Sequence, residues 1–119
     1  MEYVANLREG ILEAYTGIVT GLKKTDKSAL LLNHVPSILD LVQRSLNDED
    51  RQDPVTRLSY GLIGDLADAF PGGQLKPLLL QSWIASELRS RQRMPDETRR
   101  TMRWAREASS SFVYLLDVG

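Results

Sequence analysis

Glu2, Asn6, Glu9 and Glu13 follow one another at intervals of four, three and four residues, which on a helix lays them along one face. Such an acidic stripe is either a solvated helix surface or a docking strip for a basic partner. Asp65 and Asp68 lie three residues apart in a second helical segment. With Glu9 and Glu13 they could in principle form a carboxylate cluster for a metal ion or for acid–base work. The same spacing describes two polar helix faces, and no histidine or EF-hand-like loop accompanies it, so neither a metal nor a cofactor is expected. Trp104 stands among Arg100, Arg103 and Arg106, as a core anchor or as an exposed aromatic platform. The single histidine, His34, has no evident partner for nucleophilic catalysis and reads as structural. No HExxH, GxSxG, P-loop or dinucleotide fingerprint occurs, so no enzyme is expected. A small hydrolase or metal enzyme would require a buried pocket holding a shifted carboxylate or histidine.

Bulk composition narrows the setting. The 119 residues amount to one domain, 42% hydrophobic and 26% charged, as in ordinary globular proteins. Fifteen basic against sixteen acidic residues leave a net charge of −1, so no overall field recruits nucleic acid or an anionic membrane. Arg89, Arg91 and Arg93 read as a basic helix end, without the interleaved aromatics of a nucleic-acid surface. The absence of cysteine excludes disulfides, thiolate metal sites and cysteine nucleophiles, and fits a reducing compartment. No apolar stretch approaches the roughly 20 residues of a membrane span, and a soluble intracellular protein is expected.

The elements that must position these side chains are helices. Residues 53–70 form the clearest: Asp53 is placed to accept from the first free N–H groups, Pro54 suits the first turn, and Pro71-Gly72-Gly73 ends it. Val55, Leu58, Leu62, Leu66 and Ala69 make its apolar stripe, widened by Ile63 and Phe70, while Arg57, Gly61, Asp65 and Asp68 occupy another face. A stripe so wide suggests more than one neighbour, as in stacked helical hairpins. A helix over residues 2–24 has Val4, Leu7, Ile11, Ala14, Tyr15, Ile18 and Leu22 on its apolar face, with Gly10, Gly17 and Gly21 marking close backbone approaches. Another spans 28–46, capped by Ser28 and kinked or divided at Pro36. Further helices are expected over 74–91, with Pro77 in the first turn, and over 95–108. Residues 108–119 change character, and their apolar run extends the last helix, docks as an extra segment or forms an aggregation-prone tail. The second and fourth helices start about 46 residues apart, within the period of armadillo and HEAT repeats. The expected fold is all-α, a HEAT-repeat solenoid segment of about five helices, with the first, third and fifth on one surface and the second and fourth on the other.

LREGILEAYTGIVTGL over residues 7–22, YGLIGDLADAF over 60–70 and TMRWARE over 101–107 resemble, in order and spacing, the C-terminal end of the importin-β (karyopherin-β1) family of nuclear import receptors. The resemblance covers about residues 2–107 and implies the final HEAT repeats of a superhelical receptor, without its Ran-binding N-terminal region. It marks the chain as a fragment or truncated gene product, with a divergent tail over 108–119.

In that family this end of the solenoid wraps the basic importin-β-binding helix of importin-α with acidic and aromatic residues on its inner helices. Carried over, Glu9, Glu13, Asp65 and Trp104 become the partner-binding residues, for importin-α or a basic cargo. Asp65 has a second reading, as a bond within or between repeats. The resemblance also implies nucleoporin contact, without assignable residues, and residence in cytoplasm, nucleus and nuclear pore. No Ran contact, nucleic acid or membrane is expected. The rival role is a structural C-terminal cap of the solenoid that touches no ligand. A first helix with an exposed apolar stripe is also expected to self-associate.

Overall fold

The computed structural model describes the backbone of residues 2–118 and the side chains of residues 6–109. The chain opens with α1 (Glu2–Lys24). A 3-10 helix (Ser28–His34) leads into α2 (Val35–Asn47). There follow α3 (Asp53–Ala69), α4 (Lys76–Leu79), α5 (Ser82–Glu87) and α6 (Asp96–Val118). No strand occurs among the described residues.

Helix α3 is the centre, packed along one side by α1 and along the other by α6. Ion pairs join Arg8 to Asp48 just before α3, and Lys23 near the end of α1 to Asp68 near the end of α3, so these two helices run parallel. Asp53 meets Thr98 and Gly64 meets Trp104, so α3 and α6 are parallel as well. Parallel neighbours need return segments, and α2 with the 3-10 helix, then α4 with α5, supply them in a second layer. Leu12, Val19, Ile38, Val42, Leu62, Leu66, Leu79, Ile84 and Ala105 belong to one core cluster running through both layers.

Several local expectations are corrected. Position 53 is not the cap of α3: Gln52 precedes the helix with extended backbone and no side-chain cap bond, and the Asp53 carboxylate instead accepts from Thr98 Oγ1 at 2.9 and 3.0 Å. Ser28 likewise lies inside the 3-10 helix behind Lys27. Pro36, in the first turn of α2, marks the division from the 3-10 helix. The single helix expected over 74–91 is two short ones, because Gln81 adopts extended backbone (ψ 144). Its Nε2 donates to Leu78 O at 2.8 Å and its Oε1 accepts from Trp83 Nε1 at 3.3 Å, so the break has its own hydrogen bonds. Arg89, Arg91 and Arg93 therefore lie beyond a helix that ends at Glu87.

Helix α1 closes with Asp26 in the left-handed region (φ 58). The Asp26 N–H bonds Lys23 O at 3.1 Å and the Lys27 N–H bonds Leu22 O at 2.7 Å, the paired closure that satisfies terminal carbonyls. Among its described side chains Leu12 and Val19, neither in the expected stripe, are fully buried, and Tyr15 and Leu22 of that stripe pack partly buried against the same core, while Leu7, Ile11, Ala14 and Ile18 face outward. An added Cβ at Gly10, Gly17 or Gly21 meets nothing within 4 Å, so no close approach explains these glycines within the chain. The α6 backbone is helical through Val118, whereas burial of the apolar run from Phe112 lies outside the described side chains. No helix among the described residues is long and apolar enough to cross a membrane.

Candidate partner-binding surface

The layer formed by α1, α3 and α6 carries all four candidate residues, and a glycine organises one end of it. A Cβ at position 64 would lie 2.2 Å from Trp104 Cζ3 and 2.6 Å from Cε3, so only a residue without a side chain lets the six-membered ring rest against α3. Trp104 is both anchor and platform: it is seated on Gly64 while 41% of it stays exposed. Asp65 follows on α3, half-buried and without a hydrogen bond among the described residues. Burial first, and then the nearby Asp68 carboxylate, push its pKa up to about 6, against the opposing pull of Lys23. A half-desolvated carboxylate and a part-exposed indole on neighbouring helices are each suited to a cationic side chain, the one for ionic contact at its head and the other for stacking along its stem.

Glu9 and Glu13 stand elsewhere on the same layer. Glu13 is exposed, Glu9 partly buried, and neither enters an ion pair among the described residues. With Lys23 opposite Asp68 and the helices parallel, Glu13 lies about seven residues, or about 10 Å, down the axis from the level of Asp65. The four residues thus form a strip and not a cluster. Among the described residues no three His, Asp or Glu side chains could hold a metal ion together, which corrects the carboxylate-cluster reading.

An open cleft of about 1000 Å³ lies at the opposite end of the layer, between residues 46–53 and 86–95. Of its ionic groups, Asp48, Arg51 and Glu87 are held in ion pairs, whereas Glu49, Arg89 and Arg93 enter none among the described residues. Glu87 Oε1 accepts from Arg51 Nη1 at 3.1 Å, Glu87 Oε2 accepts from the buried Tyr60 hydroxyl at 3.4 Å, and Arg51 also bonds Leu46 O. Desolvation first, then Glu87, push the Tyr60 pKa up to about 12. Asp65, the carboxylate shifted upward, is not among the cleft walls. His34 is exposed at the junction of the 3-10 helix and α2, away from every candidate carboxylate in sequence and layer.

Helix pairs in two layers, with α3 beginning at Asp53 and α6 at Asp96 about 43 residues later, define an α-solenoid of HEAT type. The sequence profile of the family described as "Importin subunit beta-1-like, TPR repeats" matches residues 1–92, and the chain belongs to that family. The profile's wording names 34-residue repeats, but the spacing measured here fits the longer HEAT period.

Curated relatives include importin subunit beta-1 of Schizosaccharomyces pombe, 35% identical over 109 residues covering 90% of this chain and 13% of the relative. The protein of the same name from Saccharomyces cerevisiae is 36% identical over 112 residues, again 90% of this chain and 13% of the relative. Among solved structures, importin beta crystallised from ammonium sulfate superposes with a TM-score of 0.87 at 41% identity, covering 92% of this chain and 13% of that one. A structure titled for the effect of Kap95p binding on the switch loops of RanGDP superposes with 0.84 at 34% identity, covering 96% and 14%. The chain thus spans about an eighth of the length of the relatives it matches.

Gly64 as the seat of the tryptophan escaped the sequence reading. Its signal was a glycine inside an otherwise strong helix, which asks for a close neighbour.

Proposed function

We propose that this chain is a non-enzymatic binding segment of a nuclear import receptor, holding a basic helix against the layer of α1, α3 and α6. The partner is the basic importin-β-binding segment of importin-α or a similarly basic cargo. The observation that carries this reading is the Trp104 indole, packed on Gly64 of α3 yet 41% exposed, with Asp65 following that glycine in the chain. Glu9 and Glu13 extend the acidic character toward the start of α1, where a bound helix would present further lysines or arginines. Nucleoporin contact and passage between cytoplasm and nucleus belong to the same reading, with no residue assigned to them. Contact with Ran is not part of it.

Titration of the purified chain with a basic importin-α-type peptide at low and moderate salt tests the proposal. Binding should weaken with salt, as expected of exposed charge pairs. Trp104→Ala should weaken it by about 10-fold or more, as for an aromatic anchor, and Glu9→Ala with Glu13→Ala by less. Loss of binding counts only in variants whose far-UV circular dichroism is unchanged.

The seat on Gly64 also favours a second reading, a structural cap in which Trp104 locks α6 onto α3 and touches no ligand. In that case the Trp104→Ala variant loses stability while a folded wild-type chain binds no basic peptide at either salt concentration.

A further inference from the structure

The segment joining α5 to α6 carries Arg89, Arg91 and Arg93, of which Arg89 and Arg93 line the cleft shared with residues 46–53 and Arg91 does not. All three are exposed, and none of their side chains enters a hydrogen bond or ion pair among the described residues. Other groups hold the walls in place. Arg51 joins one wall to the other, donating from Nη1 to Glu87 Oε1 at 3.1 Å and to Leu46 O. Asp48 is held by Arg8 and by the Asp50 N–H at 2.9 Å, while Arg99 Nη2 on α6 donates to Gln92 O at 2.9 Å. Trp83 and Met94 pack against the core cluster and still present part of their surface to the cleft. Two cations without counter-ions thus stand beside apolar surface on a frame already cross-braced, which lowers the cost of ordering on binding.

We propose that this cleft binds a short acidic peptide segment of a partner protein, with an apolar side chain on Trp83 and Met94 between carboxylates directed to Arg89 and Arg93. A guanidinium takes a carboxylate through paired N–H donors, and both arginines keep theirs free for that use. Four residues of linker separate them, so their Cα atoms stand at most about 14 Å apart. Carboxylates a few residues apart on one peptide reach both. The cleft volume of about 1000 Å³ is at the upper end for ligand sites and has room for such a segment. Glu49, exposed on the facing wall, limits the charge that is accepted. With Asp48, Asp53 and Glu87 it repels a continuous phosphate backbone, whereas separate carboxylates can be spaced to avoid it. Nor is an open aromatic face offered to a nucleobase, since the Trp83 ring is partly buried and its Nε1 donates to Gln81 Oε1 at 3.3 Å. The ligand is opposite in charge to the basic helix assigned to the layer of α1, α3 and α6, so the two sites select different partners.

Fluorescence anisotropy tests the assignment, with the full chain titrated into a labelled, amidated peptide in which one phenylalanine is flanked on each side by glutamates. Saturable binding that weakens with salt is expected. Arg89→Gln combined with Arg93→Gln should weaken it by about 10-fold or more. Arg91→Gln, on the same linker but outside the cleft, should change it by less than about 2-fold. Glu49→Gln should tighten it by about 2-fold, because a facing like charge is removed. Glycine in place of the peptide's phenylalanine should weaken it by about 10-fold. All four substituted positions are exposed, so each variant should keep the wild-type circular dichroism spectrum. Equal losses from Arg91→Gln and from the Arg89 and Arg93 pair would mean attraction by charge alone and would overturn the proposal. The absence of saturable binding by the folded wild-type chain would do the same. A single-stranded oligonucleotide that binds more tightly than the peptide, with the same dependence on Arg89 and Arg93, would give the cleft to nucleic acid and overturn it as well.

Discussion

Asp65 shows how a single side chain can be costly to the fold and useful to the surface. Its native pKa of about 6 stands above the ordinary 3.8, so the folded state holds the proton more tightly than the unfolded one. Stability from this group is fully present below about pH 4 and is lost as pH rises through 6. Asp65→Asn should therefore stabilise the chain at pH 7.5 by about 1 kcal/mol, discounted for partial exposure. The gain should vanish near pH 4, as urea unfolding at both pH values will show. A cation bound at Asp65 reverses the sign: peptide affinity should fall below pH 6 in the wild type and change less in Asp65→Asn. Gly64 is the companion case. A Cβ there cannot coexist with the present Trp104 position, so Gly64→Ala should expel the indole from its seat, at a cost of about 1–3 kcal/mol. The Trp104 emission should shift to the red in a Trp83→Phe background, while helix content is retained.

Helix positions were legible where an apolar period and a proline coincide, as at Pro54, Pro36 and Pro95. Less visible was how an element uses its polar ends. Asp53 has the residue type of a cap, yet its carboxylate reaches across to Thr98 and fixes the register of α3 on α6, a contact that spans 45 residues of sequence. Nor could periodicity place the apolar stripe of α1 in full: Tyr15 and Leu22 pack against the core beside the buried Leu12 and Val19, whereas Leu7, Ile11 and Ile18 stay outside. The break at Gln81 follows from a glutamine that bonds Leu78 O and Trp83 Nε1, chemistry that a propensity scale does not contain. Of the candidate surface, the residue types in Glu9, Glu13, Asp65 and Trp104 were readable. Their separation into a strip was not, because it depends on the parallel register of three helices. The Asp53–Thr98 contact makes a prediction at this level. Thr98→Val keeps the buried volume but removes the donor, and should cost about 1–3 kcal/mol, as for hydrogen bonds to charged acceptors. Asp53→Asn, which retains an acceptor, should cost less in the same chemical denaturation assay.

At the scale of the whole chain, α3 is the element through which the two ends communicate. It packs on both α1 and α6, and the core cluster passes through it from Leu12 to Ala105. In a solenoid each repeat is stabilised by its neighbours, so a defect at the centre and one at the edge should differ in kind as well as in size. Both tryptophans, Trp83 and Trp104, lie in the second half, whereas far-UV circular dichroism reports all the helices. Wild-type thermal curves from the two probes should coincide if the cluster unfolds as one unit. Leu66→Ala, at a fully buried site in α3, should cost about 2–5 kcal/mol and move both curves down together. Leu12→Ala empties an equally buried site in α1, but weakens directly only the edge helix. Its circular dichroism midpoint should therefore precede its fluorescence midpoint, as α1 detaches while the seat of Trp104 on α3 persists. Coincident curves in Leu12→Ala would instead mean that α1 and α6 stand or fall together through α3, with no independent edge.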